Sequence, residues 1–272
     1  MLTKKQFLYK KYKKYRSLFT KKQKTKNVTL IFGAQRSGTN MLADAFDKSF
    51  LIDVYHEEDE TAFDDYRLKD IREIKSVIVK SWANSIVFKP ICDSQNALSL
   101  LNNIKSSNAI WIFRDWNDVV NSAMKSFPNG FQELKSIISS ENRGGWRGEN
   151  ISEENLDMVA DLVNRKVSDE TSRAAFWYLR NSLYYQLALD RCENVKLLKY
   201  ESLVSDPVTV LHDVFTFSRV PWQKEYSEFI HQKSISKTSP PAIDKDVKKI
   251  CDNLLQKMNT TLKLTFETPS LR

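Results

Sequence analysis

The chain has 272 residues, 41% of them hydrophobic and 28% charged, which is the balance of a globule with a sizeable core and excludes a disordered chain as the default. Its net charge of +8 is concentrated at one end: residues 1–26 hold ten Lys and one Arg and no acid, while the remainder carries 31 basic against 34 acidic side chains. No run reaches the ~18 consecutive apolar residues of a membrane span, and the apolar stretches of the tail are too short for a secretory signal core, so the chain reads as cytoplasmic.

The basic tail, MLTKKQFLYKKYKKYRSLFTKKQKTK, interleaves Phe7, Tyr9, Tyr12, Tyr15 and Phe19 with its lysines. It reads as a solubilising, partly helical lead-in. The alternative is contact with an anionic surface, either a polyanionic substrate or the inner face of a membrane, because cationic segments with aromatics settle at lipid interfaces. Residues 27–272 read as a single domain, with no repeat, low-complexity block or linker to divide them.

In chain order, NVTLIFG (27–33) is a short apolar run ending in glycine, which suits a buried parallel strand. A helix follows over 38–50, with Met41, Leu42, Ala45 and Phe46 on one face. LIDVY (51–55) is a second strand, followed by the acidic loop HEEDE and a helix from about Tyr66, whose Ile71, Ile74 and Ile78 recur at helical intervals. SIVFKP (85–90) is a third strand stopped by Pro90. DSQNALSLLNNI (93–104) is a helix capped by its Asp, AIWIF (109–113) a fourth strand and NVKLLKY (194–200) a fifth.

Strands separated by helix-length segments predict an α/β fold, a doubly wound parallel sheet flanked by helices, with ligands at the C-terminal strand ends. A long helical insertion precedes the last core strand and contains ENRGGWRGEN (141–150). Within it, SRAAFWYLRNSLYYQLAL (172–189) has Phe176, Leu179, Leu183 and Leu187 on a core-like face. Arg173, Trp177 and Arg180 lie off that face, where they serve structure or line an anionic or sugar acceptor site.

Three cysteines, Cys92, Cys192 and Cys251, and three histidines, His56, His212 and His231, are scattered without metal-ligand spacing. The expectation is reduced thiols and no metal.

LIFGAQRSGTNML (30–42) runs a strand through a glycine-framed turn into a helix. Uncapped N–H groups and the helix dipole make such a turn an oxyanion cradle. Gly33 and Gly38 have the spacing of a nucleotide-phosphate loop, but Thr39 and Asn40 stand where ATP sites place lysine and a magnesium-binding hydroxyl. Magnesium-triphosphate chemistry thereby loses two parts at once. The fourth strand ends in FRDWNDVVNSAMKSF, whose Arg114 and Ser122 suit a second phosphate, by a bidentate guanidinium and one hydroxyl.

Together these segments resemble the sulfotransferases that use 3′-phosphoadenosine-5′-phosphosulfate (PAPS). GAQRSGTNML resembles the family's 5′-phosphosulfate loop in the Arg-Ser-Gly-Thr form of carbohydrate and tyrosyl-protein members. IFRDWNDVVNSAMK resembles the 3′-phosphate motif, and LLKYESLVSDP (197–207) the strand followed by YEDL, with Ser202 for the usual Asp. The three lie in the family's order across residues 28 to about 220. The resemblance implies a P-loop-like sulfotransferase fold, PAPS as co-substrate, 3′-phosphoadenosine-5′-phosphate (PAP) as product and no metal. Gln35, Arg36, Ser37, Gly38, Thr39 and Asn40 would hold the phosphosulfate, Arg114 and Ser122 the 3′-phosphate, and Tyr200 would lie near the nucleotide or serve as a core aromatic.

Phenol-sulfating members carry a strand-end Lys-x-His whose histidine is the base. Here FKPICDS offers Lys89 for the lysine, but Ile91 takes the histidine's place. NRGGWRG loosely resembles the family's late nucleotide-binding loop, but it precedes the fifth strand and reads equally well as a lid over substrate. In carbohydrate and tyrosyl-protein relatives, a Glu in the loop after strand two is the base, and VYHEEDE offers Glu57 first and Glu58 second. Crowded carboxylates raise one another's pKa, which suits a base near neutral pH. Lys89 and Arg36 would stabilise the leaving phosphate oxygen.

The expected activity is sulfuryl transfer to a hydroxyl of a carbohydrate or glycoconjugate, without specific nucleic-acid binding. The rivals are a nucleoside or sugar kinase with a degenerate loop and a non-catalytic module that binds nucleotides or polyanions.

Overall fold

The computed structural model describes residues 11–15, 25–231 and 239–267. Strand β1 (Asn27–Gly33) leads to α1 (Thr39–Asp47), β2 (Ile52–Tyr55), a two-residue hairpin of β3 (Phe63–Asp64) and β4 (Arg67–Leu68), and α2 (Ile71–Lys80). Next come β5 (Ser85–Phe88), a 3-10 turn at Ile91–Asn96, α3 (Ala97–Asn103) and β6 (Ser107–Phe113). Four helices, α4 (Trp116–Ser126), α5 (Gly130–Ser139), α6 (Glu153–Arg165) and α7 (Asp169–Gln186), form the insertion before β7 (Val195–Lys199). After it lie α8 (Tyr200–Ser205), α9 (Pro207–Phe217) and α10 (Lys245–Glu267).

Five strands make one parallel sheet in the order β2, β5, β1, β6, β7. Alternate residues of a strand face opposite sides, and here both sides are buried, which is why the strands read as continuous apolar runs. Val28, Leu30, Phe32, Ala109, Trp111 and Phe113 face one core, where α7 and the rest of the insertion pack. Ile31, Ile110 and Ile112 face the other, with α1 and α9. The chain passes from β5 on one side of β1 to β6 on the other, so the loops after β1 and β6 leave the sheet side by side. This is the reversal at which open α/β sheets place their ligands.

Two local expectations need correction. The helix expected from Tyr66 begins only at Ile71, because Asp65 and Tyr66 take left-handed φ of 44° and 63° in the β3–β4 turn. Asp70 caps the helix by accepting from Arg72 N at 2.9 Å, and Lys26 Nζ closes its far end on the carbonyls of Ile78 (2.8 Å), Val79 and Ser81. Asp93 caps no helix. Its carboxylate instead takes Arg67 Nε at 2.6 Å and Leu68 N at 2.7 Å, the segment 91–96 tightens to 3-10 geometry, and α3 starts at Ala97.

Part of the basic tail packs on the domain. Residues 11–15 are helical, and buried Lys13 donates to Asp47 Oδ1 at 2.9 Å and Asp47 O at 3.1 Å. Tyr12 sets its ring edge-on to Phe50 at 5.7 Å, and both Tyr12 and Tyr15 are largely exposed. The tail expectations for residues 1–10 and 16–24 lie outside the described residues. Among those described, no helix is long and apolar enough to cross a membrane.

Candidate functional site

The turn after β1 is shaped by its neighbours. A Cβ on Gly33, at φ 142°, would lie 2.2 Å from Ile112 O of β6, so the strand pairing itself excludes a side chain. Gly38, at φ 93°, sits at the α1 N-cap without a side-chain cap, and a Cβ there would meet the Tyr200 ring at 2.3 Å. Uncapped N–H groups of the first helical turn carry the positive end of the dipole. The hydroxyl of Ser37 is fully buried and makes no hydrogen bond among the described residues. Thr39 is buried, Gln35 half-buried and Arg36 exposed, with a left-handed φ of 67°.

The segments after β6 and β7 close on this turn. Arg36 Nε donates to Ser122 Oγ of α4 at 2.9 Å. Arg114, at the tip of β6, is buried, pairs with Asp118 at 3.1 Å and lies over the Tyr200 ring, its Cζ 4.5 Å from the centroid. Tyr200, 3% exposed, is thus held between Gly38 and Arg114, so its core packing and its place beside the turn are one fact. Asp115 caps α4 by accepting from Asn117 N at 2.9 Å, and its own N–H donates to Glu201 Oε1 at 3.0 Å.

A second cluster lies at the ends of β2 and β5. Lys89 is 1% exposed, ion-pairs with Glu57 and donates to Asn40 Oδ1, tying the acidic loop to the glycine-framed turn. Burial raises the Glu57 carboxyl above the usual carboxylate value, while the Lys89 ammonium pulls the other way. Glu58 and Glu60 are exposed, so the structure brings Glu57 and not its neighbours to Lys89. His56 lies 3.9 Å from Asp44, and burial, with Lys89 nearby, lowers its pKa.

The sequence reading missed the polar network behind these clusters. Ser94 Oγ lies 3.3 Å from both N and O of Gly33, fastening the 91–96 turn to the end of β1. Arg67 bridges Asp93 and Glu149, and Glu149 also accepts from Gln95 Nε2 at 2.9 Å. Arg180 is fully buried, and its burial lowers its pKa to about 10; it donates to Gln95 Oε1, Ile91 O and Trp146 O. Arg173 binds Phe127 O and Glu133, and Trp177 Nε1 donates to Arg114 O at 3.0 Å. The side chains of these three α7 residues therefore turn inward, onto loop carbonyls and onto Glu133 of α5, which is the structural one of the two roles expected for them. Apolar periodicity gives no sign of such bonds, because their partners lie in loops 34 to 89 residues away.

No family model and no curated protein sequence matches the chain. Among solved structures it is similar to the sulfotransferase domain of the Synechococcus PCC 7002 olefin synthase, with 14% identity over 86% of this chain and 98% of that one, at a TM-score of 0.52. It is also similar to the sulfotransferase domain of the curacin biosynthetic pathway, with 12% identity over 86% and 99%, at a TM-score of 0.54. The chain has the α/β fold of these sulfotransferase domains.

Proposed function

We propose that the protein transfers a sulfuryl group from PAPS to a hydroxyl of a carbohydrate or glycoconjugate. The observation that carries this reading is the meeting of three segments far apart in sequence: Arg36 bonded to Ser122, and Tyr200 packed between Gly38 and Arg114. A buried Ser37 hydroxyl without a partner among the described residues, beside an uncapped helix start, fits an anionic oxygen.

In this reading Gln35, Arg36, Ser37, Gly38, Thr39 and Asn40 hold the phosphosulfate, Arg114 and Ser122 hold the 3′-phosphate, and Tyr200 packs beside the nucleotide. PAPS, when bound, supplies the sulfuryl group. Glu57 takes the proton from the acceptor hydroxyl as that oxygen bonds to sulfur, and Glu58, exposed, is the lesser candidate. With PAPS bound, Lys89 and Arg36 would stabilise the charge on the phosphate oxygen that leaves. Burial favours this work by keeping the Glu57 carboxylate basic and the ammonium poorly solvated. A carbohydrate acceptor is favoured over a phenol because Ile91 stands where phenol-sulfating relatives use histidine.

Residues 27–272 act as one domain, supported by the single sheet with a core on each face. The protein works in the cytoplasm, and its basic tail is a solubilising, partly helical lead-in that packs on the domain through Lys13, with contact to an anionic membrane surface as the alternative.

Calorimetric titration with PAP without magnesium, alongside ATP with magnesium, tests the reading. Micromolar binding of PAP alone is expected; preference for magnesium-ATP overturns it in favour of a kinase.

A further inference from the structure

Arg114 is the first residue after β6 that the sheet no longer holds. The β1–β6 ladder ends at the Gly33–Ile112 pair and the β6–β7 ladder at Phe113–Lys199. The next peptide unit, made of the Arg114 carbonyl and the Asp115 N–H, lies beyond both ladders, and a peptide group in the interior must find partners elsewhere.

It finds them in two side chains from distant parts of the chain. Trp177 Nε1 of α7 donates to the carbonyl at 3.0 Å, and Glu201 Oε1, at the start of α8, accepts from the N–H at 3.0 Å. Trp177 is 1% exposed, so this donor sits in the core. Because a peptide unit is planar, gripping its oxygen and its hydrogen together fixes the rotation of the whole unit. That rotation sets the direction in which the Arg114 side chain leaves the backbone on one side. On the other it sets Asp115, which caps α4.

Both flanks of the unit are held as well. The Tyr200 ring lies under the guanidinium, its centroid 4.5 Å from Cζ, and Asp118 pairs with the same group at 3.1 Å. The consecutive residues Tyr200 and Glu201 therefore hold the side chain of Arg114 and the backbone beside it. After the cap, Trp116 Nε1 donates to Asp252 Oδ1 at 2.9 Å, which fixes the first turn of the helix that carries Ser122.

We infer that Trp177 and Glu201 are positioning residues that clamp the Arg114–Asp115 peptide and thereby set the affinity for a 3′-phosphate. The inference rests on the reading of Arg114 as the ligand of that phosphate.

Calorimetric titration of the full chain with PAP, and with adenosine 5′-monophosphate (AMP), which lacks the 3′-phosphate, tests it. Glu201→Ala and Trp177→Phe should each weaken PAP binding about tenfold and leave AMP binding within about twofold, because a misaimed guanidinium loses only the contact that it makes. Glu201→Gln still offers an oxygen to the Asp115 N–H and should recover most of that loss. In an Arg114→Ala background, Glu201→Ala should cost PAP binding nothing further, since residues acting through one another are not additive. PAP and AMP affinities that fall together, or a full further loss in the double variant, overturn the clamp and leave a merely structural role. Thermal melts identify any variant that fails to fold. Trp177→Phe, which keeps a ring in the core, carries the test if Glu201→Ala is one of them. A wild-type chain that binds PAP no more tightly than AMP refutes Arg114 as the phosphate ligand, and the clamp with it. A wild-type preference for PAP that both variants keep refutes the clamp alone.

Discussion

Arg36 Nε donates to Ser122 Oγ at 2.9 Å across 86 residues of sequence, joining the turn after β1 to the helix after β6. If both side chains hold one nucleotide, they act as a coupled pair. Ser122→Ala should weaken PAP binding about tenfold and Arg36→Ala more, and the double variant should fall short of their product, because residues in contact are not additive. Calorimetry measures all three. Full additivity would show that the two side chains act on PAP independently, without coupling through their hydrogen bond.

Glu57→Gln should leave PAP affinity within about twofold while turnover falls by roughly 10²- to 10⁴-fold, the usual worth of a general base. Glu58→Gln, at an exposed position, should turn over near the wild-type rate. The reverse result would move the base by one residue.

Burial raises the Glu57 pKa in the folded chain, which therefore holds this proton more tightly than the unfolded chain does. Its contribution to stability is present below the unfolded value of about 4.5 and fades as pH rises through the folded value. The buried carboxyls of Asp93 and Glu201 act in the same direction. Turnover follows the opposite course, since the base must lose its proton, and climbs over the range in which this stabilisation fades. Paired thermal melts and pH–rate profiles should show the two slopes with opposite sign. An activity profile flat through this range would remove Glu57 from the chemistry.

Gly38→Ala should abolish PAP binding. The added methyl would fall 2.3 Å from the Tyr200 ring, at a φ of 93° that L-residues rarely adopt. The backbone strain alone costs about 1–3 kcal/mol, and the displaced ring carries Arg114 with it. Tyr200→Ala combined with Gly38→Ala should recover part of the fold stability lost, as measured by thermal melting, since the clash is removed.

Arg180→Met should destabilise the protein by about 3 kcal/mol or more, because it strips donors from buried Ile91 O, Trp146 O and Gln95 Oε1. Urea unfolding gives the figure. A change below about 0.5 kcal/mol would mean that the network closes without the guanidinium.

Much of this molecule is written in short stretches of chain. The apolar runs NVTLIFG and AIWIF can only be strands buried on both faces, and Gly33 and Gly38 mark a turn that no other residue makes, because steric limits on φ and side-chain alternation act between near neighbours. The α/β class and the positions of the glycine-framed turn, Arg114 and Tyr200 were therefore legible without coordinates. What the sequence could not decide was which distant groups meet. Of the two neighbouring carboxylates Glu57 and Glu58, the loop after β2 aims the first at Lys89. Asp93 leaves its expected helix cap for Arg67, and Arg173, Trp177 and Arg180 turn inward to loop carbonyls. Each outcome follows from strand order and from the need of buried polar atoms for partners. That need is met in three dimensions, between residues that no local pattern relates.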